Sequence, residues 1–138
     1  MKSTIDIKIE FYYKGELFAP SASIDLDQYM ERNVKLPDLY LLLATENSID
    51  SYSYHYEVML QENIQFNNAK GFAAQFCQDG QFDTEAFQKA WIKEREFDLI
   101  QSIALDVLKI EDINQQPELK AALFLAYQEG KKAIKIDN

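Results

Sequence analysis

The sequence predicts an α+β protein in which an antiparallel sheet of two β-hairpins carries about four helices packed on one face. Two observations support this class: apolar and polar residues alternate over residues 4–13, whereas helical patterns dominate after residue 83. The 138 residues suit one hydrophobic core, so we expect a single globular domain over residues 1–138. Hydrophobic residues make up 47% of the chain, which excludes extensive intrinsic disorder.

The first hairpin begins with a strand over residues 4–13. Its apolar positions follow a period of two, at Ile5, Ile7, Ile9, Phe11 and Tyr13. Lys14 and Gly15 predict a two-residue turn, because glycine readily adopts the positive φ that such turns need. The second strand covers residues 17–26, in the register that pairs Ile5 with Ile24 and leaves the serines in solvent. Pro20 lacks an N–H, which indicates an edge strand or a bulge.

Two short helical segments follow the first hairpin. Asp27 is the expected N-cap of a turn over residues 28–32. Pro37 and Asp38 then predict a helix start. That helix is apolar nearly all round and ends at Asn47, so we expect it to be deeply packed.

The segment over residues 52–61 alternates aromatic or apolar residues with polar ones, apart from Met59. Tyrosine and valine favour strands, so we predict a strand here that pairs with residues 64–66 as a second hairpin. A short helix over residues 69–78 follows, weakened by Gly71.

Two long helices complete the predicted fold. Asp83 caps a helix over residues 84–109, whose second half we expect to be nearly surrounded by protein. Pro117 opens the last helix and Gly130 closes it. Its uninterrupted apolar run predicts a central position, and the tail that follows either adds a short strand or frays.

The net charge is −9, from 14 basic and 23 acidic residues, which disfavours nucleic acid as a partner. Residues 36–69 contain no Lys or Arg, so the natural partner of this segment is cationic. The plain alternative is an acidic surface that only maintains solubility. No apolar stretch is long enough to span a membrane, so we expect no membrane partner.

Cys77 is the only cysteine, which excludes an intramolecular disulfide and a cysteine-based zinc site. We interpret it as a buried small hydrophobic residue. The polar start of the chain and the lack of a disulfide framework predict a cytoplasmic protein.

Catalytic chemistry would depend on His55, the only histidine. A dyad with Ser51 or Ser53 is unfavourable, because residues this close along one strand cannot meet: Ser53 and His55 point the same way but lie too far apart. A pair of His55 with Cys77 has no support in the sequence. Metal-ligand pairs, His55 with Glu57 and Cys77 with Asp79, match no established spacing. The glycines are scattered singly, so no phosphate-binding loop is present. We therefore predict no catalytic, metal or cofactor-binding residues and no cofactor.

The most unusual feature is a tyrosine-rich segment flanked by acids. As a candidate interaction surface we select Asp50, Tyr52, Tyr54, His55, Tyr56 and Glu57. Tyrosine provides apolar area and a hydroxyl at low entropic cost, which suits recognition. The alternative is that the tyrosines pack beneath the helices.

The leading functional hypothesis is a small non-enzymatic protein-binding domain of the adaptor or chaperone-like kind, which could also form a homodimer through an apolar helix or strand edge. One alternative is a small enzyme or ligand-binding domain whose sheet–helix pocket uses His55, tyrosines and carboxylates. Another is an acidic inhibitor that mimics nucleic acid, which predicts strongly salt-sensitive binding.

Overall fold

The computed structural model describes residues 2–137 and, among them, the side chains of residues 2–133. The fold is α+β, as predicted, with antiparallel strand pairs and β-hairpins. The chain divides into two compact units, one ending at Trp91 and one beginning at Ile92. That it forms one globular domain stays a prediction.

The first unit is built on a three-stranded antiparallel sheet in the order β4-β1-β5. Strand β1 (Thr4–Lys8) pairs with β4 (Ser21–Asp25) in the predicted register, Ile5 opposite Ile24. Strand β5 (Gln65–Lys70) pairs with the other edge of β1. Ile5, Ile7, Ile9 and Phe11 are at most 2% exposed, so the predicted apolar face is the core face.

The first hairpin continues beyond this sheet as a separate ribbon of β2 (Phe11–Tyr13) and β3 (Glu16–Phe18). Each predicted long strand is therefore interrupted, at residues 9–10 and 19–20. Pro20 explains the break on the second strand, because it has no N–H to donate to the ladder. The Pro20 carbonyl still accepts a hydrogen bond from the Ile9 N–H at 3.1 Å.

Helix α1 (Leu26–Asn33) begins two residues earlier than predicted. Its N-cap is Asp25, whose carboxylate accepts from the Gln28 N–H, so the assignment of Asp27 as N-cap is wrong. Asp27 instead accepts hydrogen bonds from the Ser3 N–H at 2.7 Å and from Trp91 Nε1 at 3.0 Å. This carboxylate therefore joins the residue just before β1 to the helix that carries Trp91.

Helix α2 (Leu39–Glu46) is capped by Asp38, which confirms the predicted start. Its predicted deep packing is wrong, because Leu43 and Ala44 are buried whereas Leu41 is 45% exposed. A continuous apolar run can thus belong to a surface helix.

The predicted second hairpin is wrong, because residues Tyr54–Met59 form helix α3. The Ser53 hydroxyl accepts from the Tyr56 N–H at 3.2 Å, and this N-cap outweighs the strand propensity of tyrosine and valine. The helical phase also buries Met59, the residue that breaks the alternation. Strand β5, the predicted partner, pairs with β1 instead.

The predicted helix over residues 69–78 is found only in the middle of that range, and as a 3₁₀ helix. Strand β5 runs to Lys70, a 3₁₀ helix covers Gly71–Phe76, and β6 (Cys77–Gln78) pairs with β7 (Gln81–Phe82). Gly71 has a φ of +68°, which an α-helix does not allow and which turns the chain out of β5. Cys77 is half-buried rather than buried.

Helix α4 (Thr84–Leu108) agrees with the prediction, and the Asp83 carboxylate accepts from the Ala86 N–H at its start. Helix α5 (Pro117–Asp137) begins as predicted but continues through Gly130, because one glycine costs a helix only about 1 kcal/mol. The tail at residues 134–137 is helical, and its side chains lie outside the described residues.

The second unit is a helical hairpin in which Glu96 joins α4 to α5. Its carboxylate accepts from Lys131 Nζ at 2.6 Å and from Gln128 Nε2 at 3.0 Å. The predicted near-complete enclosure of α4 and central position of α5 are wrong, since Val107 is 71% and Leu125 is 66% exposed. Two helices cover only their facing sides, which leaves the remaining apolar residues outside.

Over residues 2–137, none of the helices combines the length and apolar character that crossing a membrane requires.

Two carboxylates of the first unit predict a loss of stability in acid. Hydrogen bonds from Asn68 and Ser23 hold the pKa of Asp6 below its usual 3.8, and a hydrogen bond from Lys2 lowers that of Asp25. A lowered pKa means that the unfolded chain binds more protons, so this stabilisation is complete above about pH 4 and is lost below it. We expect Asp6→Asn to flatten the fall of the unfolding free energy between pH 5 and about pH 2.5, measured by urea titration. An unchanged pH slope would contradict this assignment.

Candidate functional site

The tyrosine-rich segment lies on a tightly hydrogen-bonded turn and the start of α3. The Asp50 carboxylate accepts from the Tyr52 N–H at 2.9 Å, and the Ser53 hydroxyl donates to the Asp50 carbonyl at 2.6 Å. The Ser53 hydroxyl also caps α3 by accepting from the Tyr56 N–H. These bonds fix the backbone, so the side chains between them project from an ordered turn.

Two of the predicted surface residues are among the most exposed aromatic side chains of the first unit. Tyr52 is 95% and Tyr54 is 71% exposed, which overturns, for these two, the alternative that the tyrosines pack beneath helices. Tyr56 is half-buried, and burial, with a smaller effect from the charge of Asp38, raises the pKa of its hydroxyl. Asp50 and Glu57 are exposed. The segment therefore presents two tyrosines and two carboxylates to solvent.

His55 points the other way, toward the β2–β3 ribbon. Its ring lies 4.2 Å from the ring of Tyr13 and meets Phe18 edge-on at 5.1 Å, centroid to centroid. Phe18 in turn stacks on the buried Phe11 at 5.3 Å. The imidazole thus packs in an aromatic cluster that anchors α3 to the ribbon. Lys14 Nζ lies over the ring of Tyr13, 5.5 Å from its centroid.

A groove of about 500 Å³ opens beside this cluster. Its walls come from the end of β3, the end of α2 and the turn before α3, and they consist of Phe18, Ala19, Pro20, Asn47, Ser48, Ile49, Asp50, Ser53 and His55. Asn47 holds two of these walls together, because its Nδ2 donates to the carbonyls of Ser21 at 3.0 Å and Leu43 at 2.8 Å. The groove is therefore a mainly apolar cleft whose walls are joined by hydrogen bonds, with Asp50 at its polar side.

The segment that supplies the end of α2 and the turn before α3 to the groove carries carboxylates but no Lys or Arg. Residues 36–69, which include α2, α3 and the turn between them, have no basic residue, and their five carboxylates are all exposed: Asp38, Glu46, Asp50, Glu57 and Glu62. Exposed apolar groups occur in the same segment, with Leu41 and Leu60 each 45% exposed. We call the exposed part of this segment, together with the groove of Phe18, Pro20 and Ile49 beside it, the acidic tyrosine surface.

The groups considered for catalysis are not brought together around His55. The Ser53 hydroxyl donates to the Asp50 carbonyl, so its proton is not directed at the imidazole. Cys77 does not line the groove, and it pairs with Phe82 in the β6–β7 hairpin. Among the described residues, no group of three His, Cys, Asp or Glu side chains is placed to hold a metal ion. The arrangement offers shape, aromatic area and negative charge.

Sequence reasoning did not identify the groove residues Phe18, Pro20 and Ile49. They become neighbours only because the β2–β3 ribbon folds against α3, and no local pattern connects residues 18–20 with residues 47–55. Pro20 is the only one of them that the sequence singles out, since it marks where the strand breaks.

Comparisons of the chain with protein-family models, curated proteins and solved structures find no match.

Proposed function

We propose that this chain is a non-enzymatic protein-binding domain that engages a basic, amphipathic segment of a partner through the acidic tyrosine surface. The observation that carries the proposal is the exposure of Tyr52 and Tyr54, 95% and 71%, beside the groove. Large aromatic side chains left in solvent next to a concave apolar site are typical of recognition surfaces.

Each region of this surface has a distinct role in the proposed contact. The groove along Phe18, Pro20 and Ile49 accepts one aliphatic or aromatic side chain of the partner. The two exposed tyrosines cover the flanks of that side chain, and their hydroxyls satisfy polar groups at the rim. The carboxylates, with no basic residue between 36 and 69 to neutralise them, attract lysine or arginine.

The geometry favours binding over the alternative of a small enzyme. The ring of His55 is packed between Tyr13 and Phe18, and the Ser53 proton is already donated to a carbonyl. A nucleophile–base pair needs the two side chains within hydrogen-bond reach of each other. The lone, half-buried Cys77 is consistent with a cytoplasmic setting, which we propose as the place where the protein acts.

The proposal predicts which peptides the protein selects from a random peptide library. We expect enriched sequences that combine lysine or arginine with one large apolar residue, and binding that weakens at higher salt because the charges are exposed. We expect the enriched peptides to bind the Tyr52→Ser/Tyr54→Ser double variant at least about tenfold more weakly, because the loss of aromatic contact residues has an effect of this size. Affinities are measured by fluorescence titration with synthetic copies of the enriched peptides.

A matched control is Tyr12→Ser, because Tyr12 is 70% exposed and its side chain alternates to the face opposite Tyr13. Binding should be unchanged in this variant. Failure to enrich any peptide, or equal affinities in the double tyrosine variant and the wild type, would contradict the proposal. If salt alone abolished binding while the tyrosine substitutions had no effect, the acidic nucleic-acid mimic would be favoured instead.

A further inference from the structure

The amide of Asn47, which lines the groove, has no donor left to offer a ligand. Its Nδ2 donates to the carbonyl oxygens of Ser21 at 3.0 Å and Leu43 at 2.8 Å. Because both neighbours are carbonyl oxygens, the orientation of the amide is fixed and both of its hydrogens are engaged. The atom that Asn47 can still offer to a ligand is therefore the acceptor Oδ1.

Ser53, on the turn that forms another wall of the groove, is in the same state. Its hydroxyl donates to the Asp50 carbonyl at 2.6 Å, and its oxygen accepts from the Tyr56 N–H at 3.2 Å. A hydroxyl has one proton and two lone pairs. Ser53 can therefore accept one more hydrogen bond, but it cannot donate one to a ligand without losing its bond to the turn.

Asp50 adds a negative charge to these two acceptors. One of its carboxylate oxygens, Oδ1, accepts from the Tyr52 N–H at 2.9 Å, which holds the side chain in place. Over residues 2–133, whose side chains the structure describes, no Lys or Arg forms an ion pair with Asp50. An ionised carboxylate accepts up to about four hydrogen bonds, so most of this capacity remains for a ligand.

The other polar side chains of the groove adapt to either kind of ligand. The Ser48 hydroxyl can rotate to donate or to accept, and a neutral imidazole such as a histidine provides has one donor and one acceptor. The groups with a fixed role, Asn47, Asp50 and Ser53, all accept. The groove is therefore matched to a group that has several donors, no acceptor and a positive charge.

Arginine is the side chain that fits this set of acceptors. Its guanidinium has five N–H donors in a planar fork, no acceptor and a permanent positive charge. It is more weakly hydrated than the ammonium of lysine, and its flat faces stack on aromatic rings such as that of Phe18, which lines the same groove. The groove volume of about 500 Å³ is in the range of pockets that hold drug-sized ligands, which leaves room for a guanidinium beside an apolar side chain.

We infer that the basic residue presented by the partner is an arginine, whose guanidinium binds at the polar side of the groove by donating to Asn47, Asp50 and Ser53. This assignment rests on the proposed function, in which the groove receives an apolar side chain and the carboxylates attract a cation. It adds a requirement that charge alone does not impose, because the cation must supply donors to two walls of the groove. Lysine, a compact and strongly hydrated cation with three donors, meets this requirement less well.

The first test uses N-acetylarginine amide as the probe, titrated into the full chain and followed by NMR of the backbone amides. We expect millimolar binding that shifts the amide resonances of Asn47, Asp50 and Ser53. The citrulline analogue is nearly the same shape but is neutral and carries a carbonyl acceptor, so it should bind at least about tenfold more weakly. The lysine analogue should bind more weakly than the arginine probe and more tightly than the citrulline analogue.

The second test separates a local contact from general attraction to an acidic protein. Asp50→Asn removes the charge but keeps an acceptor oxygen for the Tyr52 N–H, and we expect it to weaken binding of the arginine probe about tenfold. The matched control is Glu62→Gln, which removes one charge from an exposed carboxylate of the same segment that does not line the groove. Its affinity should be almost unchanged, because salt screens exposed charges. Circular dichroism checks that both variants stay folded.

Equal binding of the arginine and citrulline probes, or equal losses of affinity in Asp50→Asn and Glu62→Gln, would overturn the inference. So would a wild-type chain that binds none of the probes, or a lysine probe that binds as tightly as the arginine probe. Failure of the proposed function is a different result, since it appears as the absence of peptide selection or of any effect of the tyrosine substitutions.

Discussion

Gly71→Ala is expected to destabilise the first unit by about 3 kcal/mol, from a strained φ and from overpacking. Gly71 has a φ of +68°, a region that residues with a Cβ rarely adopt. A Cβ at this position would also lie 2.9 Å from the carbonyl carbon of Lys2, against its carbonyl oxygen, and 3.3 Å from Cα of Ser3. These are backbone atoms just before β1, so they cannot move aside as a flexible side chain could.

The matched control for this prediction is Gly80→Ala. Gly80 has a similar φ of +78°, but a Cβ there would meet no atom within 4 Å. We therefore expect it to cost only the conformational strain, about 1 kcal/mol. Urea denaturation of both variants measures the difference. Equal losses of unfolding free energy would show that the close approach to Lys2 and Ser3 is relieved at no cost.

The first strand pair and the long helices could be predicted because their determinants are local. The alternation over residues 4–13 decides which face is buried, and the two-residue turn after Tyr13 decides the register that joins Ile5 to Ile24. Asp83 and Pro117 mark helix starts by chemistry that involves only the next turn of the chain. In these segments, the secondary-structure propensity of the residues and the spacing of the apolar positions indicate the same element.

The segment that became α3 could not be assigned from its pattern alone. Its alternation fits a strand, whereas Asp50 and Ser53 provide the side-chain bonds that begin a helix. Tertiary contacts decide between strand and helix, because the helix buries Met59 and brings His55 against the β2–β3 ribbon. The candidate residues were found by composition, but their division into an exposed pair of tyrosines and an inward histidine follows from the helical phase.

The exposed apolar residues of α4 and α5 illustrate a second limit. A hydrophobic run predicts that something covers it, and the natural assumption is that the same chain does so. Here Leu99, Ile103 and Leu125 are all close to half exposed or more. The expectation from sequence that these helices are central is therefore wrong for these residues, because the helices of the second unit leave their outer faces in solvent.

Asp27→Ala is expected to destabilise the first unit by about 3 kcal/mol, because hydrogen bonds to a charged acceptor are worth about 1.5–3 kcal/mol each. One oxygen of Asp27 accepts from the Ser3 N–H at 2.7 Å, and Ser3 is 1% exposed, so water cannot replace the lost acceptor. The other oxygen accepts from Trp91 Nε1 at 3.0 Å. The substitution removes both acceptors at once.

Trp91 is the only tryptophan, so its fluorescence reports on this contact directly. Asp27→Ala should shift its emission under native conditions, whereas Asp25→Ala should leave the emission unchanged and cost about 1 kcal/mol for the lost N-cap, with little added by loss of the solvent-exposed ion pair to Lys2. Asp27→Asn should fall between the two, since an amide keeps one acceptor oxygen but turns an N–H₂ toward the other donor. If Asp25→Ala destabilised the protein as much as Asp27→Ala, the N-cap rather than the Ser3–Asp27–Trp91 connection would hold α1 in place.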